Sequence, residues 1–377
     1  MEVGSVRVEP GQDLNGSLAV LDTRADLALV FGSRGRISAP ELYPALRAWL
    51  PQARIVGCST AGEIFGTQVG DDSLVVTAAR FESTRVVAKS VSVAGPGDSR
   101  LAGRRLAQSF ATAGLVHVFV LSEGVAINGS ELVLGLTESL PPHVSLSGGL
   151  SGDGEAFART VVMCDRPAES QIVAAVAFYG SRLRVGLACL GGWDPFGPER
   201  LITRSSANVL YELDGRPALE LYKRYLGPHS AGLPATALLY PLSLRDPIEV
   251  GGLVRTILGI SEADGSLTFA GDMPRGAYTR LMRANFDRLI DGSKLAARRS
   301  VSLLDSAPQM AVLISCVGRK LVLKQRIEEE VEAVREVLGD APVIGGFYSY
   351  GEISPFTPGA DCSLHNQTMT VTTFGEV

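Results

Sequence analysis

A seven-residue pattern, G-x-x-x-x-G-E, occurs three times in this chain: GCSTAGE from Gly57 to Glu63, GLSGDGE from Gly149 to Glu155 and GFYSYGE from Gly346 to Glu352. Each copy follows a short apolar run (ARIV, HVSLSG, APVIG), and each lies downstream of another: LALVF at 27–31, VHVFVL at 116–121 and MAVLIS at 310–315. From Phe31 to Glu63, Leu121 to Glu155 and Ser315 to Glu352 the separations are 32, 34 and 37 residues, differences that fit in a loop. A unit used three times constrains the fold more than any single motif, because its copies must bury their apolar faces together.

The segments between the two runs read as helices. Leu323, Ile327, Val331, Val334 and Leu338 recur at helical steps, with Glu328, Glu329 and Glu330 mostly on the other side. In the first unit Ser38 and Glu41 have capping-box spacing, Pro40 suits a first turn and Pro51 marks the far end. The second helix, near Ser130 to Leu140, is stopped by Pro141 and Pro142. Strand, helix, strand and a Gly-bounded turn make a βαβ unit, and further apolar strands follow at 73–81, 171–179 and 364–374. The expected fold is α/β, with internally duplicated βαβ units in two domains: 1–192 with two units, and 193–377 with one unit plus a β-rich insert. The break is placed at the Gly- and Pro-rich segment GGWDPFGPER, 191–200. After it come a strand at 200–204, a helix from Pro217 to Leu226, and an extended section at 237–271 in which Asp264 and Gly265 mark a hairpin turn.

Composition narrows the class. The chain has 377 residues, 46% of them hydrophobic, with a formal net charge of -5 and no long basic run, so nucleic acid is not an expected partner. No uninterrupted apolar segment approaches the ~18 residues that a membrane span needs. A cytoplasmic protein is expected. Its five cysteines are odd in number and scattered, which fits reduced thiols in or beside strands.

A turn bounded by glycines at a strand's C-terminal end directs N–H groups outward, where α/β sheets usually hold ligands. Its Glu places a carboxylate beside those donors, an arrangement that suits a small zwitterion such as an amino acid. Ser59, Thr60 and Glu63 form the first candidate cluster, Asp153 and Glu155 the second, and Tyr348, Ser349, Tyr350 and Glu352 the third. A plain turn with a solvated carboxylate gives the same pattern. His365, Asn366 and Gln367, in LHNQTM, interrupt the last apolar strand and read either as a pocket wall or as a backbone-satisfying turn.

IVGCSTAGEI, GGFYSYGEISPF and LHNQTMTVTTFGE, with GWDPFGPERLITRSSANVLYELDGRPALELYKRYLG and VRTILGISEADGSLTFAGDMPRGA, resemble the FIST family of bacterial sensory proteins over nearly the whole chain. The resemblance implies an N-terminal FIST domain in 1–192 and a C-terminal one in 193–377. It further implies a small ligand such as an amino acid, and a separate signalling partner, for example a histidine kinase. A branch of the family is described as haem-binding nitric-oxide sensors. An axial ligand would come from His117, His143, His229 or His365, of which His365 is the best placed.

Enzyme motifs do not fit. Position 61 of GCSTAG is Ala where a nucleophile elbow needs another residue order, and no P-loop, G-x-G-x-x-G or H-E-x-x-H occurs. The expectation is a sensor that is not an enzyme. The enzymatic alternative pairs Glu63 with Glu352 as an acid and base.

Overall fold

The computed structural model describes residues 1–245, 253–356 and 360–377, with Ala235 as backbone alone; the part of the extended section at 246–252 lies outside it. The repeated unit is longer than its motif. It consists of an edge strand, a helix, a first inner strand, a second helix, a second inner strand, a turn, a short strand and a last strand.

In the first unit the strands are Glu2–Val8, Leu27–Gly32, Arg54–Ser59, Glu63–Phe65 and Leu74–Arg80, with Leu42–Trp49 as the second helix. In the second they are Arg85–Ser92, Leu115–Ser122, Ser145–Leu150, Val162–Cys164 and Ile172–Tyr179, with helices Ser99–Gln108 and Gly129–Thr137. In the third they are Leu183–Leu190, Met310–Cys316, Val343–Ser349, Gly351–Pro355 and Met369–Glu376, with helices Phe286–Val301 and Ile327–Leu338. The two inner strands of each unit are parallel and the last strand is antiparallel to the first of them. The α/β class and the internal duplication expected from the sequence are both present.

The short strand after each turn leaves its own unit. Glu63–Phe65 pairs with Val343–Ser349 of the third unit, Val162–Cys164 with Arg54–Ser59 of the first, and Gly351–Pro355 with Ser145–Leu150 of the second. Each unit thus lends a strand to a neighbour's sheet, and the exchange closes on itself.

Strand periodicity explains the layering. Leu27, Leu29 and Phe31 point into a central core with Phe119, Leu121, Val312 and Ile314, contributed by all three sheets. The alternate residues Ala28 and Val30 face outward to Leu42 and Leu46 of the covering helix. Leu313 likewise meets Val331 and Val334 on the outer face of the third unit.

Several local expectations change. The periodic run 323–338 is broken at Lys324 (φ 49°), so the helix starts at Ile327, and Glu330 is fully buried because Arg319 pairs with it. Ser38 closes a short helix, Arg34–Ile37, and the next one is capped at Glu41 without a side-chain bond, so no capping box forms. GGWDPFGPER is not a loose break. Trp193–Ser206 is one long strand pairing with Tyr278–Ala284; Pro198 falls in a register break between Phe196 and Arg200, where the ladder needs no N–H, while Pro195 stays in register opposite Met282. This strand begins the β-rich insert, whose own core holds Ile202, Leu210, Tyr222, Leu267 and Phe269. Its Asp264–Gly265 turn joins Ile257–Ser261 to Ser266–Phe269, as expected.

One glycine in each second inner strand is required by close packing. A Cβ on Gly57, Gly148 or Gly346 would stand 2.1, 1.9 or 1.9 Å from the carbonyl oxygen of Val30, Val120 or Leu313. Gly346→Ala should therefore force the parallel pair apart and cost about 1–3 kcal/mol or more. Gly35→Ala, where an added Cβ meets nothing within 4 Å, should be neutral or slightly stabilising. Urea midpoints of the two variants against wild type check both.

Candidate functional site

The three turns meet. Ala61 N–H donates to Tyr348 O (2.8 Å), Gly152 N–H to Ser59 O (2.9 Å) and Tyr350 N–H to Leu150 O (3.2 Å), so the turns are laced into a closed ring of backbone hydrogen bonds. The ring is packed. Ser59, Thr60, Ser151 and Ser349 on it are all buried.

Two of the three turns hold a buried acid in the same socket. Glu63 accepts from Thr60 Oγ1, from Ser73 N–H (3.0 Å) and from Ser73 Oγ (2.8 Å). Glu352 accepts from Ser349 Oγ (2.6 Å), Thr368 N–H (3.2 Å) and Thr368 Oγ1 (2.7 Å). Burial pushes the Glu63 carboxyl above its ordinary value and Glu352 up to about 7, against the pull of these donors. The charge felt by Glu63 is that of Asp71, and the one felt by Glu352 is that of Arg319. The pairing of Glu63 with Glu352 as acid and base is therefore corrected: each carboxylate sits in its own socket, on a different sheet, with its own neighbours.

The second copy of the motif is out of register with the other two. The glycine equivalent to Gly57 and Gly346 is Gly148, not Gly149, as the shared clash with the adjacent strand shows. The residue opposite Cys58 is Val162, whereas Glu63 lies opposite Phe347 and Glu352 opposite Gly149. Val162 thus takes the place of the acid, and Ile172 that of Ser73 and Thr368, so the carboxylate and its hydroxyl partner are replaced together by an apolar pair. Glu155 lies on the loop between and is exposed.

The remaining candidates divide between support and wall. Ser59 Oγ accepts from Val161 N–H (3.0 Å). Tyr348 donates to Glu330 (2.7 Å), itself in a wholly buried ion pair with Arg319 (2.6 Å) that Ser315 and Ser293 complete. Asp153 accepts from Tyr350 Oη and from the N–H groups of Ala158 and Arg159 (3.1 and 2.9 Å). Gln367 donates to Thr256 Oγ1 (2.9 Å), reaching the insert. Its Oε1 and both amide ends of Asn366 are buried without a partner among the described residues, so that segment is held by its neighbours more than by its own bonds.

Tyr350 faces an open volume. Its ring stacks on Phe157 (4.3 Å between centroids) at the wall of a cavity of about 560 Å³. The cavity lies between the Gly124–Gly129 segment and Glu131 of the second unit and Asn208, Phe269 and Asp272 of the insert. Asn128 spans the two sides: its Oδ1 caps the helix at Glu131 N–H (3.1 Å) and its Nδ2 donates to Asp272 (2.9 Å). Sequence reasoning missed Asn128, Phe157 and Asp272. Only Asn128 left a signal, as an N-cap residue three before Glu131.

Haem does not fit the histidine chosen for it. His365 Nε2–H donates to Ser354 O (2.9 Å), the ring stacks on Phe356, and burial lowers its pKa to about 4. His117 is held between the hydroxyls of Ser145 and Ser147, fully buried. Iron ligation by His365 would require breaking the hairpin it fastens.

The Glu352 socket has a pH signature. The folded chain keeps this proton up to about pH 7, whereas the ordinary carboxyl value is 4.5. Its share of stability is therefore complete below about 4.5 and lost as pH rises through about 7, some ~3 kcal/mol in all. The lowered histidines act in the opposite sense as pH falls, so the quantity to measure is a difference. Between pH 5 and 7 the stability of Glu352→Gln should gain on wild type by about 1 kcal/mol per pH unit, in urea titrations at stepped pH.

Comparison with known proteins completes the description. An uncharacterized protein of Mycobacterium tuberculosis is 23% identical over 357 residues, covering 92% of this chain and 91% of the relative. One of Mycobacterium bovis is 23% identical over 241 residues, covering 62% of this chain and 61% of its own. Among solved structures, a cyanuric acid hydrolase from A. caulinodans covers 99% of both chains at 9% identity and a TM-score of 0.40. A second cyanuric acid hydrolase covers 100% and 99% at 10% identity and 0.35. These two structures are of hydrolases, against the expectation that the chain is not an enzyme, which is withdrawn; a likeness at this level assigns no reaction to this chain. No helix among the described residues is long and apolar enough to cross a membrane. The FIST N domain matches residues 26–216 and the FIST C domain residues 218–355, so the chain belongs to the FIST family, whose domains mark a sensory, signal-transducing protein.

Proposed function

We propose that the cavity between the second unit and the insert binds a small ligand bearing an amino group, such as an amino acid, and that its occupancy is signalled to a separate partner protein, for example a histidine kinase. The observation that carries this is where the cavity lies. Tyr350, Asn128 and Gly129 come from the ring of duplicated units, and Asp272 and Phe269 come from the insert, so a ligand would touch both the FIST N and the FIST C regions at once.

The wall has the parts such a ligand needs. Tyr350, Phe157, Leu150 and Phe269 supply apolar and aromatic surface, and Glu131 and Asp272 supply carboxylates. The segment 124–129 is held in place by Glu123, whose carboxylate accepts from the N–H groups of Val125 (2.9 Å) and Ala126 (2.7 Å). Of the residues singled out in the sequence, Tyr350 forms the wall and Asp153 orients it. Glu63, Glu352, Ser59, Thr60 and Ser349 keep the turn ring in place behind it, and Gln367, next to Asn366, ties the last strand to the insert.

The contacts across the cavity also give it a way to signal. Asn128 Nδ2 reaches Asp272, and Asp272 N–H reaches Ser130 Oγ (3.4 Å), bonds a ligand would compete with or tighten. Calorimetric titration with the amino acids, one at a time, should find a binder. Tyr350→Ala and Asp272→Ala should each weaken it at least tenfold, about 1.4 kcal/mol, with circular dichroism unchanged. Undiminished affinity in both variants would place the site elsewhere.

A further inference from the structure

The strand exchange creates three equivalent seams. In each, the segment leaving the first inner strand of one unit faces the turn of the next. Backbone register sets the correspondence: the N–H groups of Ser33, Glu123 and Cys316 donate to the carbonyls of Ser73, Ile172 and Thr368, at 3.4, 3.1 and 3.1 Å. One residue beyond these anchors stand Arg34, Gly124 and Val317, and four beyond stand Ile37, Ile127 and Lys320.

Two seams carry a cation from the chain. Between the third and first units, Lys320 Nζ donates to Ala61 O (2.8 Å), pairs with Asp71 and lies 5.7 Å from the centroid of the Tyr348 ring. It fills the space so closely that a Cβ on Gly62 would be 2.5 Å from the ammonium. Between the first and second units, the Arg34 guanidinium lies 3.8 Å from the almost fully buried carboxylate of Asp153. The third seam differs. The segment Gly124-Val-Ala-Ile-Asn128 carries no basic residue, and this is where the cavity of about 560 Å³ lies. Its wall keeps acceptors that a cation would use: the Tyr350 and Phe157 rings and the carboxylate of Asp272. Arg100, also on the wall, pairs with Glu138, which Arg104 shares, and lies 3.7 Å from Glu131, so Asp272 is the wall carboxylate left for a ligand.

We propose that the ligand supplies the cation that the third seam lacks, so that the cavity selects small molecules with an alkylammonium or guanidinium side arm, basic amino acids and diamines, over neutral or acidic ones. This rests on the cavity being the ligand site and narrows its class. Pseudo-symmetry carries the inference. The same seam is built three times, and the cavity of about 560 Å³ lies at the one whose segment carries no basic residue.

Calorimetry and thermal shift with L-lysine, L-arginine, cadaverine, L-norleucine and L-glutamate test it. Lysine or cadaverine should bind at least tenfold tighter than norleucine, and the preference should shrink with added salt. Ile127→Lys, in register with Lys320, should plug the seam and abolish lysine binding, while Ile127→Met should keep both fold and binding. If Ile127→Lys does not fold, Asp272→Asn takes its place and should weaken lysine more than norleucine, which is lysine without its side-chain ammonium; equal weakening overturns the proposal. Tighter binding of norleucine or glutamate, lost in Tyr350→Ala, would overturn the cation assignment and leave the cavity as the site. No binding of any of the five to the folded protein would overturn both.

Discussion

Everything in this molecule is arranged around the backbone hydrogen bonds that join the turns, among them those from Ala61 to Tyr348, Gly152 to Ser59 and Tyr350 to Leu150. Each bond spans two units, and directly after it the chain crosses into a neighbour's sheet. The ring therefore fixes where the exchanged strands begin, and those strands fix how the three sheets face one another over the central core. Buried backbone groups must be paired, and here they are paired between units instead of within them.

Departures from threefold repetition coincide with what is special in the structure. Two turns keep a carboxylate with its hydroxyl partners, and the third has Val162 and Ile172 in their place. A buried acid with donors on both oxygens and a buried apolar pair are both stable solutions. An acid without its donors would leave an uncompensated polar group costing several kcal/mol. That explains why the two positions differ together. The seams show the same logic: two hold a Lys or Arg against an acceptor, and the third is open to the cavity.

Much of the architecture was legible in the amino-acid pattern, because strand alternation and helical steps are local. The inner strands, their covering helices and the final strands all follow apolar periodicity. The strand exchange was not legible. Glu63 pairs with Phe347, far away in sequence, and backbone pairing leaves no side-chain signature. Glu155 misled because Gly148 and Gly149 adjoin, so that the motif could be aligned one residue late. Glu330 sits in a run of three acids that reads as a solvated face; its burial depends on Arg319, which sits on another helix. The cavity was invisible for a related reason. It exists only because an insert from the far half of the chain lays Asp272 and Phe269 against Asn128 and Tyr350.

The exchange has a consequence for biosynthesis. As the ribosome releases the first unit, the hairpin of Glu63–Phe65 and Gln68–Gly70 has no sheet to join until Val343–Ser349 emerges, nearly the whole chain later. Until then it is a bare edge, the kind of surface on which chains pair with the wrong neighbour. Such long-range closure also slows folding. A truncated N-terminal half would leave this edge exposed, and a strand synthesised long after it is the one that covers it.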